Sequence, residues 1–313
     1  MLEVEGLTKY FSSGMIRKRY VKAVDGVSFQ IGRGKTLGVV GESGCGKTTI
    51  GRLILRLIEP TGGKVFFDSI DMFSLNKSEL RKIRPRMQMI FQDPDSSLDP
   101  RMKIRTSIAE PLKVHSAISK DERSQKIREL IETVGLNPEH VNRYPYQLSG
   151  GQNQRVVLAR ILAMNPDLII ADEPTSSLDV SVQAQILNLM KDLQKTFSHT
   201  YLFITHDLDV VRIMADQIAV MYLGRIVEIG ETSDIFNGAK HPYTHALLSA
   251  AMIETAAGQR KRVFLKGETP GPIDIPAGCR FHTRCPRREE ICMIKDPELV
   301  EVGRGHYVEC HFV

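Results

Sequence analysis

The sequence predicts an α/β fold with a parallel sheet, organised around a phosphate-binding loop, and three observations predict it. The first is Gly41-Glu42-Ser43-Gly44-Cys45-Gly46-Lys47-Thr48-Thr49, which fits the pattern G-x-x-x-x-G-K-[ST]. The second is its setting. Thr36-Leu37-Gly38-Val39-Val40 before it reads as a short buried strand, and Ile50, Leu53, Ile54, Leu57 and Ile58 after it share one helix face. The third is a set of later apolar strands that each end in polar residues: Gln92, then Asp172-Glu173, then His206-Asp207.

Each part of the loop has a chemical reason. Its glycines turn backbone N–H groups toward a polyphosphate that also meets a positive helix end. Lys47 adds a mobile cation, and the Thr48 hydroxyl is a ligand for Mg²⁺.

At 313 residues the chain is long enough for one large core and a second, smaller module. Hydrophobic residues are 42% and charged residues 25%, the balance of a soluble globular protein. No apolar run approaches the ~18 residues of a membrane-spanning helix. The start of the chain also lacks a basic-then-apolar signal pattern, so a cytoplasmic location is expected. Any membrane association would come through a partner. Forty-two basic against 37 acidic residues give a net charge of +5, too weak an excess to argue for nucleic acid.

In chain order, Leu2-Glu3-Val4 and Val27 to Ile31 alternate as antiparallel strands. Between them lie Tyr10 and Phe11, a Ser-Ser-Gly turn and the basic run Arg17-Lys18-Arg19. The residues leave open whether an aromatic here is core or stacks on an adenine ring. A turn at Thr61-Gly62-Gly63 leads into another strand, and Gln88 to Phe91 form the strand that ends at Gln92. Gln92 reads either as a loop-capping amide or as a group facing a ligand.

From Gln92 to about residue 160 the pattern is helical, with a capping box at Ser119 and Glu122 and a helix stop at Gly135. Leu148-Ser149-Gly150-Gly151-Gln152 then opens a helix. It is either an ordinary Ser-Gly-Gly cap or a second anion site. The strand 168–171 ends in Asp172, suited to hold Mg²⁺, and Glu173, suited to deprotonate water. His206, at the end of the strand 201–205, is placed to sense a terminal phosphate. A hairpin over 218–228 is expected to close the core near residue 232.

The tail, 233–313, is rich in proline and holds four of the five cysteines: Cys279, Cys285, Cys292 and Cys310. Gaps of five, six and seventeen residues fit poorly with a four-cysteine zinc site, which pairs its ligands closely. Two disulfides do not suit a cytoplasmic chain. Spacing alone leaves a metal, an iron–sulfur cluster or unligated thiols open, with His282, His306 and His311 as replacement ligands.

With the loop, Gln92, Leu-Ser-Gly-Gly-Gln, Ile-Ile-Ala-Asp-Glu-Pro, Ser-Leu-Asp and Thr-His-Asp in this order, residues 1–232 resemble an ABC transporter ATPase subunit. The tail resembles the carboxyl-terminal extension of the dipeptide/oligopeptide importer ATPases. It does so through His241-Pro242-Tyr243-Thr244, Leu247-Leu248, Gly267-Glu268-Thr269-Pro270, Pro276-x-Gly278-Cys279 and the later cysteines. The likeness is to the second of the two ATPases usually paired in one importer.

The resemblance implies a P-loop, RecA-like ABC ATPase core with an antiparallel β subdomain and an α-helical subdomain (about 93–160). A Cys-containing C-terminal extension (233–313) follows. It implies that Gly41, Ser43, Gly44, Cys45, Gly46, Lys47, Thr48 and Thr49 bind ATP and that Phe11 stacks on adenine, with Tyr10 the alternative. Thr48, Gln92 and Asp172 would hold Mg²⁺, Glu173 would be the general base, and His206 would contact the γ-phosphate.

Ser149, Gly150 and Gly151 would act in trans on the nucleotide of a partner, with Asp179 at that interface. Cys279, Cys285, Cys292 and Cys310 match cysteines proposed to hold a [4Fe–4S] cluster. Implied partners are a paralogous ATPase, two transmembrane permease subunits and an extracytoplasmic substrate-binding protein. The implied location is peripheral, at the cytoplasmic face of the membrane.

Relatives also move nickel or oligosaccharides. The rival from another class is a soluble ABC ATPase acting on DNA or ribosomes. Its usual marks are paired C-x-x-C modules, a long coiled coil or two cores in one chain, and this sequence has none of them. Three positions depart from the family pattern or lie outside it. Thr48 stands where Ser is common, and either hydroxyl can bind Mg²⁺. Asn153 stands where a basic residue is common, and Cys45, at a free position of the loop, is either a passive small residue or a point of oxidation sensitivity.

Overall fold

The computed structural model describes residues 1–13, 19–115, 118–251 and 267–313. Gly14 of the Ser-Ser-Gly turn and Arg17-Lys18 of the basic run lie outside the described residues. The chain divides into two compact units, Met1–Ser74 with Phe203–Val313, and Leu75–Leu202.

The first unit opens with β1 (Leu2–Ser13) and β2 (Arg19–Ile31), followed by β3 (Thr36–Val40) and α1 (Lys47–Ile54), then β4 (Gly62–Phe67) and β5 (Ile70–Asp71). Strands β2, β1, β4 and β5 lie side by side in that order, every pair antiparallel. β1 and β2 are longer than their alternating cores suggest, because bulges after Val4, Leu7 and Lys9 let the register slip while pairing continues. β3 is buried along its whole length, as its unbroken apolar run requires.

The second unit begins with α2 (Lys77–Ile83), β6 (Met87–Ile90), α3 (Pro94–Ser97), α4 (Ile104–His115) and α5 (Lys120–Thr133). It continues through α6 (Gly150–Leu162), β7 (Leu168–Asp172) and α7 (Val180–Phe197). Both halves of the box at Ser119 and Glu122 are formed, and Gly135 leaves the helix with φ of 68°. On α7, Ile186, Leu187, Met190 and Leu193 are buried, a 3–4 spacing that turns one stripe inward. β6 and β7 run parallel, Ile90 opposite Ala171.

The chain returns to the first unit within β8 (Thr200–Ile204). There follow α8 (Leu208–Met214), β9 (Gln217–Tyr222), β10 (Arg225–Glu231), α9 (Thr232–Gly238), α10 (Pro242–Ala251), α11 (Glu290–Ile294), β11 (Leu299–Gly303) and β12 (His306–Glu309). β9 lies parallel to β3, with Val39 opposite Ala219, and the expected hairpin is β9 with β10.

That hairpin does not end the sheet. β12 adds to β10 and β11 adds to β12, so the tail occupies hydrogen-bonding groups that β10 would otherwise leave at an open edge. The junction is fixed by a buried pair. Glu228, fully buried, accepts hydrogen bonds from the N–H groups of Lys240 and His241 and lies 2.8 Å from His306 Nε2. His306 is thus committed to the sheet and is not a spare ligand.

His241 is buried, and its Nδ1 accepts the Tyr243 N–H at 3.1 Å at the start of α10. Burial pushes its pKa down to about 3, with the charges of His245 and Arg287 acting in the same direction. An unfolded histidine titrates near ~6.5, so below that pH the unfolded chain binds the extra proton and stability falls as pH falls. The loss is ~1.4 kcal/mol per pH unit, or about 2 kcal/mol from pH 6.5 to 5. His241→Asn, which keeps an acceptor for Tyr243, is expected to flatten that acid slope in denaturant unfolding across this window. An unchanged slope would remove His241 as its source.

Candidate nucleotide site

The phosphate loop leaves β3 and enters α1, and its outer glycines are required by neighbouring backbone. A Cβ on Gly41 (φ +153°) would lie 2.2 Å from the Met221 carbonyl oxygen, and one on Gly46 (φ +109°) 2.0 Å from that of Ala23. Neither position admits a side chain. Lys47 is buried and folded back on the loop, its Nζ donating to the carbonyls of Gly41 at 2.7 Å and Glu42 at 3.0 Å. It is therefore poised at the loop's own oxygens, as a mobile ammonium on a flexible stem.

Thr48 and Thr49 sit half-buried in the first turn of α1, which has no acidic residue to compete with an anion. Cys45 is only 4% exposed, and burial, the largest influence, pushes its thiol pKa up. A protonated, covered thiol is inert, so Cys45 is the passive small residue of the two readings.

Two further residues belong to this unit. Phe11 on β1 is 40% exposed with Lys9 Nζ 4.9 Å from its ring centre, whereas the Tyr10 hydroxyl donates to Asp25. Phe11 is thus exposed beside Lys9, where Tyr10 is tied down. Thr205 donates its N–H to Val39 O at 3.2 Å, so the exposed His206 follows immediately beyond the carboxyl end of β3, where the loop begins.

In the second unit the parallel register brings Gln92 and Glu173 together. Ile90 faces Ala171, and two residues on from each, Gln92 Nε2 donates to Glu173 Oε2 at 3.0 Å. Asp172, 4% exposed, closes β7 beside them. Glu173 adopts φ of +47°, a conformation that costs a non-glycine residue on the order of 1 kcal/mol and that clusters at functional sites.

Ser149 caps α6, accepting the Gln152 N–H, while Gln152 Oε1 accepts the Ser149 N–H. Ser149 and Gly150 are exposed, as are Tyr146 at 71% and Val180 at 83%. Gly151 has a reason inside its own unit, since a Cβ there would lie 2.3 Å from Val182 on α7. Asp179 caps α7, its carboxyl held below the usual range by the Val182 N–H and Ser181. Asn153 lies on no open helix surface. It is 3% exposed and donates to Pro145 O at 3.2 Å.

The tail cysteines line one small pocket together with His241, His282 and Phe281. Gly278 must be glycine for the turn that brings them there, because a Cβ would lie 2.4 Å from Cys292 O, which also accepts the Cys279 N–H at 2.8 Å. Burial pushes the Cys279 thiol up to about 12, and the nearby Cys292 and Cys285 add to the rise. Cys285 is raised by burial and by Cys310 and Cys292.

None of the five cysteines is in a disulfide. Among the described residues no group of three or more His, Cys, Asp or Glu side chains converges as a metal ion requires. His282 and His311 are engaged with the carbonyls of Cys279 and Lys295.

Known proteins resemble this chain along its whole length. Residues 24–176 match the ABC transporter family, and residues 227–292 match the oligopeptide/dipeptide transporter C-terminal region. The oligopeptide transport ATP-binding protein AppF of Bacillus subtilis is 49% identical over 99% of this chain and 97% of its own length. A putative peptide import ATP-binding protein of Brucella ovis is 47% identical over 99% and 97%. The ATP-binding cassette MJ0796, solved as a dimer in a post-hydrolysis state with ADP and Pi, superposes with a TM-score of 0.67. It is 33% identical over 74% of this chain and 99% of that one. The fold is therefore that of an ABC ATPase cassette.

Lys47→Ala is expected to weaken ATP binding at least tenfold, the scale of a lost charge-assisted phosphate contact, in equilibrium titration of the purified chain. Unchanged affinity would remove the loop as the phosphate site.

Proposed function

We propose, from the premise that this chain belongs to the ABC transporter ATP-binding proteins of the oligopeptide-transport type, that it hydrolyses ATP to power import of dipeptides or oligopeptides through a membrane transporter. The observation that carries the cargo class is the presence, in one chain, of the cassette and the oligopeptide/dipeptide C-terminal region, matched end to end by the peptide-transport relatives. In this reading residues 1–232 are the ATPase domain, with its helical subdomain over about 93–160, and residues 233–313 are the importer-type extension.

The loop amides from Ser43 to Thr49, Gly41 and Lys47 cradle the phosphates, and Phe11 stacks on the adenine. Thr48, Asp172 and Gln92 hold Mg²⁺, which when bound neutralises charge on the transferring phosphoryl group. Glu173 takes a proton from the attacking water. Its bond to Gln92 orients the carboxylate and links the base to a residue that would touch Mg²⁺. His206 meets the γ-phosphate. Positioning of this kind supplies most of the acceleration in phosphoryl transfer.

The exposed Ser149 and Gly150, flanked by exposed Tyr146 and Val180, suit an interface in which a second ATPase closes over its partner's nucleotide. The second ATPase is a paralogue, and the pair works at the cytoplasmic face with two permease subunits, fed by an extracytoplasmic substrate-binding protein. No helix among the described residues is long and apolar enough to cross a membrane, which agrees with a subunit that docks peripherally. The shared cysteine pocket suits a [4Fe–4S] cluster held by Cys279, Cys285, Cys292 and Cys310. Four thiolates would supply the ligands, and binding a cluster would have to work against the burial that raises Cys279 and Cys285.

Glu173→Gln tests the catalytic assignment. It is expected to bind ATP, accumulate a closed dimer and lose about 10²–10⁴-fold in turnover, the range of a lost general base. Normal turnover would remove Glu173 from that role. Co-purification with permease subunits and ATP-dependent peptide uptake in vesicles test the transport assignment; salt-sensitive retention on DNA or ribosomes would oppose it. Protein purified without oxygen is expected to carry about four iron and four sulfide, lost in Cys285→Ser. Stoichiometric zinc, or no metal, would refute the cluster.

A further inference from the structure

We infer that Arg284, in the C-terminal extension, is a positioning residue for the phosphate loop and acts on it through Glu42. The inference rests on the reading of the loop as the ATP site. Glu42 is the loop's first variable residue, and each of its polar groups is held. Its N–H donates to the Tyr243 hydroxyl at 3.0 Å, and its carbonyl accepts from Lys47 Nζ at 3.0 Å. Its carboxylate accepts both from the Thr269 hydroxyl and from Arg284 Nη1, which lies 3.0 and 2.9 Å from the two oxygens. Arg284 also donates to Thr269 Oγ1 at 3.1 Å. Three of these four partners lie more than 200 residues away in the sequence.

Arg284 is rooted firmly enough to act as a lever. Its guanidinium lies 6.0 Å from the ring centre of the buried Tyr222. Tyr222 packs with Tyr243 and Phe281, ring centres 4.7 and 5.3 Å away. Phe281 and Arg284 belong to one turn, the Arg284 N–H donating to Phe281 O at 3.0 Å, and that turn runs from Cys279 to Cys285. The arginine side chain is 9% exposed and the Glu42 side chain 26%.

Two consequences follow for nucleotide binding. When Lys47 leaves the Gly41 and Glu42 carbonyls for a phosphate, Glu42 loses one of its restraints; Arg284, Thr269 and Tyr243 keep it in place. Glu42 also brings a negative charge to a loop that must accept a polyphosphate, and Arg284 cancels that charge at contact distance. Loss of Arg284 therefore leaves an unpaired carboxylate at the mouth of an anion site. Affinity should suffer, with little effect on the chemical step.

The test is ATP binding and hydrolysis by the full chain, with wild type, Arg284→Ala, Arg284→Lys, Arg284→Gln and the double variant Arg284→Ala/Glu42→Gln measured together. Arg284→Ala is expected to raise Kd and KM about tenfold, with kcat at saturating ATP changed less than about twofold. Adding Glu42→Gln is expected to bring Kd back to within about threefold of wild type, because the unpaired charge is gone. A merely structural arginine would show no such rescue.

Arg284→Lys, which keeps the positive charge beside Glu42, is expected to stay within about threefold of wild type, and Arg284→Gln, which removes the charge but keeps much of the volume, serves if the alanine variant does not fold. Wild-type affinity in Arg284→Ala or in Arg284→Gln, or a double variant weaker than the single, would overturn the inference while leaving the loop assignment intact. Failure of the wild-type chain to bind ATP would instead overturn the reading of the loop itself.

Discussion

The structure depends on a close approach of backbone to backbone around the phosphate loop. Met221 O and Ala23 O stand where side chains on Gly41 and Gly46 would have to go, so β9 and β2 press directly on the two ends of the loop. That pressure leaves the intervening backbone one path, and it leaves Lys47 bonded to loop carbonyls, ready to exchange them for phosphate oxygens. A loop whose shape is fixed before ligand arrives loses little entropy on binding. The glycines of the motif are thus set by packing as much as by the phosphates.

The second unit shows how strand register becomes chemistry. Gln92 and Glu173 meet because each lies two residues beyond a registered pair in parallel strands. A slip of one residue in either strand would turn one of them to the opposite face. The left-handed backbone at Glu173 is a local cost accepted at the same point. The conformation, the register and the hydrogen bond agree on where the carboxylate stands.

Much of this was legible in the sequence, because the signals were local. The strand–loop–helix at Val39 to Leu53, the capping box at Ser119, the cap at Ser149 and the β9–β10 hairpin each lie within a short window, where periodicity and cap chemistry speak directly. What escaped depends on contacts distant in sequence. That β12 joins β10, that His306 is taken up by Glu228 and that Arg284 holds Glu42 are pairings across 78 to 242 residues that no window contains. The burial of Asn153 under Pro145 is likewise not contained in the helical pattern alone. Gly151 carried a signal shared by two causes, and Val182 shows that helix packing is one of them.

Hydrogen–deuterium exchange of the purified chain, with and without Mg²⁺ and ATP, tests the central claim most directly. If the loop amides hold the polyphosphate, the N–H groups from Ser43 to Thr49 should slow sharply on nucleotide addition, together with the first turn of α1. Protection appearing elsewhere while those amides exchange unchanged would contradict the account, and the nucleotide would have to be bound by another part of the molecule.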